Sequence, residues 1–182
     1  MKRHSILCIA FLAMGGCALF PPSAPRVPPL PKGPVTPPKL SVSDVAMLQK
    51  IESRAVYMKA MASLADTHSS DELVKGFARQ MVQDYDKTHV AAQKLATNFN
   101  LALSDAQSAQ DKNRLTRLGK LYGRPFDRNF LYNLIHSSTA KERAELKAVQ
   151  KNGSTAEMKS LAGALVTLLE QCQVQGNGLI HR

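Results

Sequence analysis

The chain has 182 residues, enough for one domain with a hydrophobic core, and its 24 basic and 14 acidic residues give a formal net charge of +10. Hydrophobic residues make up 44% of the chain but aromatic residues only 5%. Ala, Leu, Met, Gln and Lys are common, and these residues lose little rotamer freedom in a helix. Of the cysteines Cys8, Cys17 and Cys172, only the last lies beyond the first forty residues, which excludes a disulfide framework within a folded domain.

The first sixteen residues have the pattern of a secretory signal peptide. Lys2 and Arg3 precede an apolar run, residues 5–14, that is too short to span a bilayer core about 30 Å thick. The run ends in Met14-Gly15-Gly16-Cys17, which resembles the lipobox of bacterial lipoproteins. We therefore predict residues 1–16 as a lipoprotein signal peptide and Cys17 as the lipidation site; an ordinary secretory signal with an incidental cysteine is the alternative.

The segment after Cys17 is rich in proline. Nine of the ten prolines fall in residues 21–38, and such a stretch favours polyproline II at about 3.1 Å per residue. We predict residues 17–40 as a semi-rigid tether of about 65 Å at most; a ligand for a proline-binding module is the alternative. The residue after Cys17 is Ala18 and not the Asp that signals retention in the inner membrane. We therefore expect an outer-membrane lipoprotein that faces the periplasm.

From Ser41 onward the apolar residues recur with a period of 3.6, which predicts helices throughout. The first helix begins with a capping box at Ser41 and Asp44 and ends near residues 67–69. The second begins with another capping box, Ser69 and Glu72, and ends near residues 98–100.

Three more helices are predicted after residue 100. A short third helix runs from Ser104 to Gly123, and a long fourth helix runs from Pro125 to residues 152–153. The fifth helix begins at Ser154 and ends at Gly176 and Gly178, which leaves residues 177–182 as a tail. Because short connections make neighbouring helices antiparallel, we predict an all-α up-down bundle of four long helices and one short helix over residues 41–176.

Motifs in the second to fourth helices resemble a known family. The motifs are Val74-Lys75, Phe77-Ala78, Met81-Val82, Asp84, Leu95-Ala96, Leu115, Leu118, Gly123 and Phe126-Asp127-Arg128. They resemble a bacterial family of ferritin-like domains of unknown function, the DUF4142 type, often described as predicted outer-membrane proteins, over roughly residues 44–175. The resemblance implies a ferritin-like helical bundle in the cell envelope and implies no established reaction. Histidines typical of the family fall here at Tyr85, near Ser137 or Ser138, and near Gln171.

A ferritin-like di-iron site takes a Glu from each of two helices and a Glu-x-x-His motif from each of the other two. The sequence contains no Glu-x-x-His, and its nearest equivalent is Asp86 and His89. Further oxygen donors for such a site are Glu142, Glu145 and Glu170. We expect neither a metal nor another cofactor, because Asp86 lies off the apolar stripe of its helix; a metal-binding ferritin relative that uses these five residues is the alternative.

A second alternative is a small-ligand binder with a polar pocket in the bundle core. Tyr85, His136 and Ser137 are its candidate residues, since the fourth helix as predicted carries His136 and Ser137 near its middle. No acid or nucleophile is paired with His136 by spacing, so we expect no enzymatic activity. Cys172 lies on the apolar stripe of the fifth helix, which predicts core packing for its thiol.

A run of basic residues in the third and fourth helices is the leading candidate for a contact surface. The run consists of Lys112, Arg114, Arg117, Lys120, Arg124 and Arg128. An anionic envelope surface or an acidic protein would fit it, whereas nucleic acid is not expected, because no aromatic residues interleave for base stacking. A solvated basic face is the alternative. The sequence therefore predicts a non-enzymatic, membrane-anchored envelope lipoprotein that acts by contact.

Replacement of Cys17 with Ala tests the predicted anchor. Without a thiol to acylate, we expect the protein to move from the membrane fraction to the soluble fraction, because an acyl chain contributes about 0.8 kcal/mol of membrane affinity per buried methylene. Cell fractionation and the mass of the N-terminal peptide measure this, with Cys8→Ala as the control. An unacylated Cys17→Ala protein that still sediments with membranes would contradict the prediction.

Overall fold

The computed structural model describes residues 39–181; the predicted signal peptide, Cys17 and the proline-rich run at 21–38 lie outside the described residues. The described residues form helices and no strand, so the all-α prediction is confirmed. The helices are α1 (Val42–Ser63), α2 (Ala65–His68), α3 (Glu72–Asn98), α4 (Ala109–Leu118), α5 (Gly123–Ile135), α6 (Ala140–Asn152) and α7 (Ala156–Ile180). None of these helices combines the length and apolar character needed to cross a membrane.

The predicted start of α1 is correct, and that of α3 is shifted by two residues. The hydroxyl of Ser41 accepts a hydrogen bond from the backbone N–H of Asp44 at 3.1 Å, as a capping residue does. The cap of α3 is Asp71 and not Ser69, because the Asp71 carboxylate accepts from the N–H of Leu73 at 2.8 Å. Ser69 instead supports the preceding turn by accepting from the N–H of Asp71 at 3.1 Å.

Helix α4, which corresponds to the predicted third helix, is shorter than expected. Its cap is Ser108, so the expectation of a start at Ser104 is wrong. The backbone of Ser104 is engaged by α1, where the Gln49 amide accepts from its N–H at 3.2 Å and donates to its carbonyl at 3.0 Å. The helix ends at Leu118, because Gly119 caps it and the chain turns before α5.

The prediction of one continuous fourth helix is also wrong, because the chain breaks into α5 and α6. His136 caps the end of α5, and the Thr139 hydroxyl caps α6 by accepting from the N–H of Glu142 at 3.1 Å. Ser and Thr side chains compete with the helical backbone for hydrogen bonds, and this segment contains three of them in a row. Arg54 of α1 donates to the carbonyl of Ser137 at 3.0 Å and so satisfies a backbone group that the break exposes.

The last helix begins one residue later than predicted and continues past its expected end. Its cap is Thr155 and not Ser154. Gly176 and Gly178 lie inside the helix and do not end it. A Cβ on the buried Gly176 would stand 3.1 Å from the side chain of Ile135 on α5. Glycine at this position therefore allows α7 to pack closely against α5.

The long helices pack around one core in which α1 lies against α3, and α7 lies against α3, α5 and α6. Ser41 donates its N–H to Ser154 at 3.3 Å at one end of the bundle, which we call the lower end. His68 lies 3.0 Å from the carbonyl of Gly119 at the opposite, upper end. The chain therefore rises in α1, descends in α3, returns upward through residues 99–122, descends in α5 and α6, and rises in α7. As a result α3 runs in the same direction as α5 and α6.

Asp44 joins α1 to the start of α7 at the lower end. The residue is 3% exposed, and its carboxylate accepts from the N–H of Ser154 at 2.8 Å and from the Ser154 hydroxyl. Burial by itself raises the pKa of Asp44, but the hydrogen bonds from Ser154 and Ser41 outweigh it and hold the pKa below its ordinary value of 3.8. The ionised form of Asp44 therefore stabilises this end of the bundle.

Replacement of Asp44 with Ala is expected to lower the free energy of unfolding at pH 7 by about 1–3 kcal/mol, because the N–H of Ser154 loses a charged acceptor. Since the folded-state pKa is depressed, this contribution is present above about pH 4 and is lost as the pH falls through the folded pKa. Urea unfolding at pH 7 and pH 3 measures both effects. The exposed Asp105→Ala variant is the control, and equal losses in the two variants would contradict the assignment.

Candidate functional site

Helix α4 lies on the outside of the bundle and leaves its basic residues exposed. Leu118 is its one buried residue. Lys112, Arg117 and Lys120 are exposed, and within residues 39–181 no carboxylate oxygen lies within 4.0 Å of their charged nitrogens. We call these three residues the basic α4 surface, although Lys120 lies just after the end of the helix.

The other three predicted basic residues lie elsewhere. Arg114 turns toward Asp111, 3.8 Å away, and toward Tyr57 in a pocket of about 310 Å³. Burial raises the pKa of Tyr57, while the nearby Arg114 guanidinium opposes that rise. Arg124 and Arg128 lie beyond the turn that separates α4 from α5, in a cleft at the upper end of the bundle. The predicted row of six residues is thus divided over three places: Arg114 faces Tyr57 from α4 itself, and Arg124 and Arg128 lie beyond the change of chain direction after Gly119.

The predicted metal-binding carboxylates are engaged in ion pairs between different helices. Asp86 pairs with Lys59, Glu142 with Arg54, Glu145 with Lys50, and Glu170 with Lys147. The hydrogen-bonded lysines hold the pKa values of Asp86 and Glu145 below their ordinary range. Within residues 39–181 no three His, Cys, Asp or Glu side chains are grouped as a metal site requires. The structure therefore does not bring these candidates together.

His89, the remaining metal candidate, faces the buried carboxylate of Glu52, which was not among the residues predicted from the sequence. Glu52 of α1 is fully buried, and its Oε1 lies 2.7 Å from Nδ1 of His89. Gln93 donates to the same oxygen at 2.7 Å, whereas Oε2 of Glu52 is buried with no hydrogen-bond partner among the described residues. The signal for Glu52 was its position four residues after Leu48, on the apolar stripe of α1.

The predicted polar pocket is not assembled. Tyr85 is fully buried, and burial raises its pKa; the neighbouring thiol of Cys172 is also buried, which raises its pKa to about 11. His136 is exposed and stacks on Tyr132 with ring centroids 4.2 Å apart. Because α5 ends at Ile135, His136 lies in a surface turn and not at core level.

A groove of about 880 Å³ lies between α3 and α7. Its walls carry small side chains such as Ala91, Ser160 and Ala164. Lys87 at its rim pairs with Asp84 at 2.9 Å, so this charge is already neutralised. Polar side chains such as Thr167 and Gln171 also line the groove, so it is not a purely apolar surface.

These observations define an all-α bundle whose long helices are cross-linked by ion pairs and whose short α4 carries an unpaired basic surface. The chain belongs to the family described as Domain of unknown function (DUF4142), whose family model matches residues 30–178. The match confirms the family that the helix motifs resemble. Comparisons with curated proteins and with solved structures give no match.

The buried carboxylate of Glu52 yields a stability prediction. The double variant His89→Ala, Gln93→Ala removes the two groups that face Glu52, and we expect it to lower the free energy of unfolding by about 3 kcal/mol. Addition of Glu52→Met is expected to restore at least half of the loss, because an apolar side chain removes the buried carboxyl group that lacks partners. Urea unfolding of the wild type, the double variant and the triple variant measures this. A triple variant no more stable than the double variant would refute it.

Proposed function

We propose that the protein is a lipid-anchored cell-envelope lipoprotein whose bundle acts by contact, through the basic α4 surface, with an anionic component of the envelope. The observation that carries this proposal is the absence of carboxylate partners, within residues 39–181, for Lys112, Arg117 and Lys120. Exposed, unneutralised cations create a positive potential that extends about one Debye length, roughly 8–10 Å, from the surface.

Four cations of the long helices differ from those of the α4 surface. Lys50, Arg54, Lys59 and Lys147 each pair with a carboxylate on another helix and so are committed to holding the bundle together. The cations of the α4 surface have no such structural task. They are therefore available to phosphate or carboxylate groups of a partner.

The anchoring part of the proposal rests on the sequence. The lipobox-like Met14-Gly15-Gly16-Cys17 and the proline-rich run at residues 21–38 provide an anchor and a tether. A tether of about 65 Å at most keeps the bundle close to the membrane that holds it, so that anionic envelope groups lie within its reach. We infer an outer-membrane location facing the periplasm, because Ala18 follows Cys17.

The course of the chain supports a ferritin-like topology as part of the proposal. Ferritin-like bundles have one long crossover between their second and third long helices. Residues 99–122, which include α4, make such a crossover between α3 and α5. We propose no enzymatic activity, because the carboxylates that a ferritin-like enzyme would direct at its metals are engaged in ion pairs.

Charge reversal tests the contact surface in the unanchored Cys17→Ala protein. With Lys112, Arg117 and Lys120 replaced by Glu, we expect binding to phosphatidylcholine vesicles that contain phosphatidylglycerol to weaken about 100-fold at low salt. The reason is that each basic residue near an anionic membrane contributes about 1 kcal/mol. Vesicle co-sedimentation over a range of salt concentrations measures the effect.

The matched control reverses Lys94, Lys141 and Lys159, which are exposed lysines with no ion pair in the described chain and lie away from α4. It changes the net charge by the same amount. Equal weakening in both triple variants would show a net-charge effect and would remove the α4 surface from the proposal. Binding to phosphatidylcholine alone would likewise contradict an electrostatic contact.

A further inference from the structure

The upper end of the bundle contains a cleft of about 1180 Å³ that is separate from the basic α4 surface. It lies where α5 begins, between the start of α3 and the end of α7. Arg124, Asp127 and Arg128 of α5 line it, together with the apolar side chains of Val74, Leu179 and Ile180. The cleft thus combines both signs of charge with an apolar wall.

The carboxylate of Asp127 has no hydrogen-bond or ion-pair partner among residues 39–181. The residue is 8% exposed, and its Oδ1 is buried with no hydrogen bond in the described chain. A buried acceptor left unsatisfied is destabilising, and more so when it is charged. The other acids of the cleft are already engaged, since Asp71 caps α3 and Glu72 pairs with Lys75 at 2.8 Å. Asp127 is therefore the acid of this cleft that a cationic ligand group would satisfy.

Arg124 and Arg128 complement this carboxylate but do not pair with it. Both are exposed, and no carboxylate oxygen of residues 39–181 lies within 4.0 Å of their guanidinium nitrogens. Arg124 precedes Asp127 by three positions on α5, and residues with this spacing are surface neighbours about 5–6 Å apart at Cβ. The guanidinium of Arg124 and the carboxylate of Asp127, both unpaired among the described residues, therefore lie about one helical turn apart on α5.

The backbone at the start of α5 adds to the positive character beside Asp127. Tyr122 provides no side-chain cap for α5, so within residues 39–181 no side chain binds the N–H groups of Gly123, Arg124 and Phe126, while Pro125 has no N–H. A helix N-terminus in this state favours a carboxylate. Phe126 holds this turn in place, because its buried ring stacks against that of Phe130 with centroids 5.7 Å apart.

We propose that the cleft binds an α-amino acid with an apolar side chain. Its ammonium group pairs with Asp127, and its carboxylate binds Arg124 and the first turn of α5. Its side chain packs against Leu179 and Ile180. An α-amino acid carries an ammonium group and a carboxylate on the same carbon, so one small ligand can reach both Asp127 and Arg124, and arginine binds carboxylates through two parallel hydrogen bonds. The cleft is lined by Asp127 and Arg128 of the Phe126-Asp127-Arg128 motif, and these residues are not part of the basic α4 surface. Ligand binding in the cleft does not require contact with a membrane.

Isothermal titration calorimetry of the full mature lipoprotein in detergent, with L-leucine as the probe, tests this proposal. We expect leucine to bind at least tenfold more tightly than leucinamide, which lacks the carboxylate, and than 4-methylpentanoate, which lacks the ammonium group. No detectable binding of leucine would overturn the proposal. Equal binding of 4-methylpentanoate would show a simple anion site, and equal binding of leucinamide a simple cation site; either result also overturns it.

Two variants assign the charged groups. Asp127→Asn should weaken leucine binding at least tenfold and abolish the preference over 4-methylpentanoate, while Arg124→Gln should abolish the preference over leucinamide. Asp105→Asn and Lys159→Gln, at exposed residues outside the cleft and outside the basic α4 surface, are the controls and should bind leucine like the wild type. Circular dichroism melts verify that each variant is folded. An Asp127→Asn protein that is folded and still prefers leucine over 4-methylpentanoate would contradict the assignment.

Discussion

Residues 99–122 must carry the chain from the lower end of α3 back to the upper end of the bundle, and the other features of the molecule depend on this return. It places α5 parallel to α3 and sets the start of α5 beside the end of α7, which creates the cleft around Asp127. Because the return path runs outside the core, α4 buries only Leu118 and keeps its cations in solvent. The basic surface and the cleft are thus two consequences of one chain path.

Ion pairs between the long helices engage several acidic side chains of the bundle. Arg54 is largely buried and binds both Glu142 and the carbonyl of Ser137, so it joins α1 to the break between α5 and α6. Exposed pairs such as Lys147 with Glu170 contribute only about 0–1 kcal/mol each, and stability comes mainly from the apolar core. These pairs nevertheless occupy the carboxylates that a bundle-core metal site would need.

The sequence predicted local features well and connections poorly. Ser41 was identified as the cap of α1, and the apolar period predicted α1, α3 and α7, because capping and helical periodicity act over three or four residues. Ser104 resembles a helix start equally well, but its backbone is bound by Gln49, fifty-five residues away in the chain. Gly176 resembles a residue that ends a helix, but it lies inside α7, where the lack of a side chain allows close contact with Ile135.

By itself, the sequence determined the all-α class, the family, and the cationic character of the segment around α4, since these depend on composition and on neighbours in the chain. Only the tertiary structure decided which polar groups are paired. Glu142 is engaged by Arg54, eighty-eight positions away, whereas Asp127 has no partner among the described residues. The physical reason is that hydrogen bonds and ion pairs form over about 3–4 Å in space, whatever the distance along the chain.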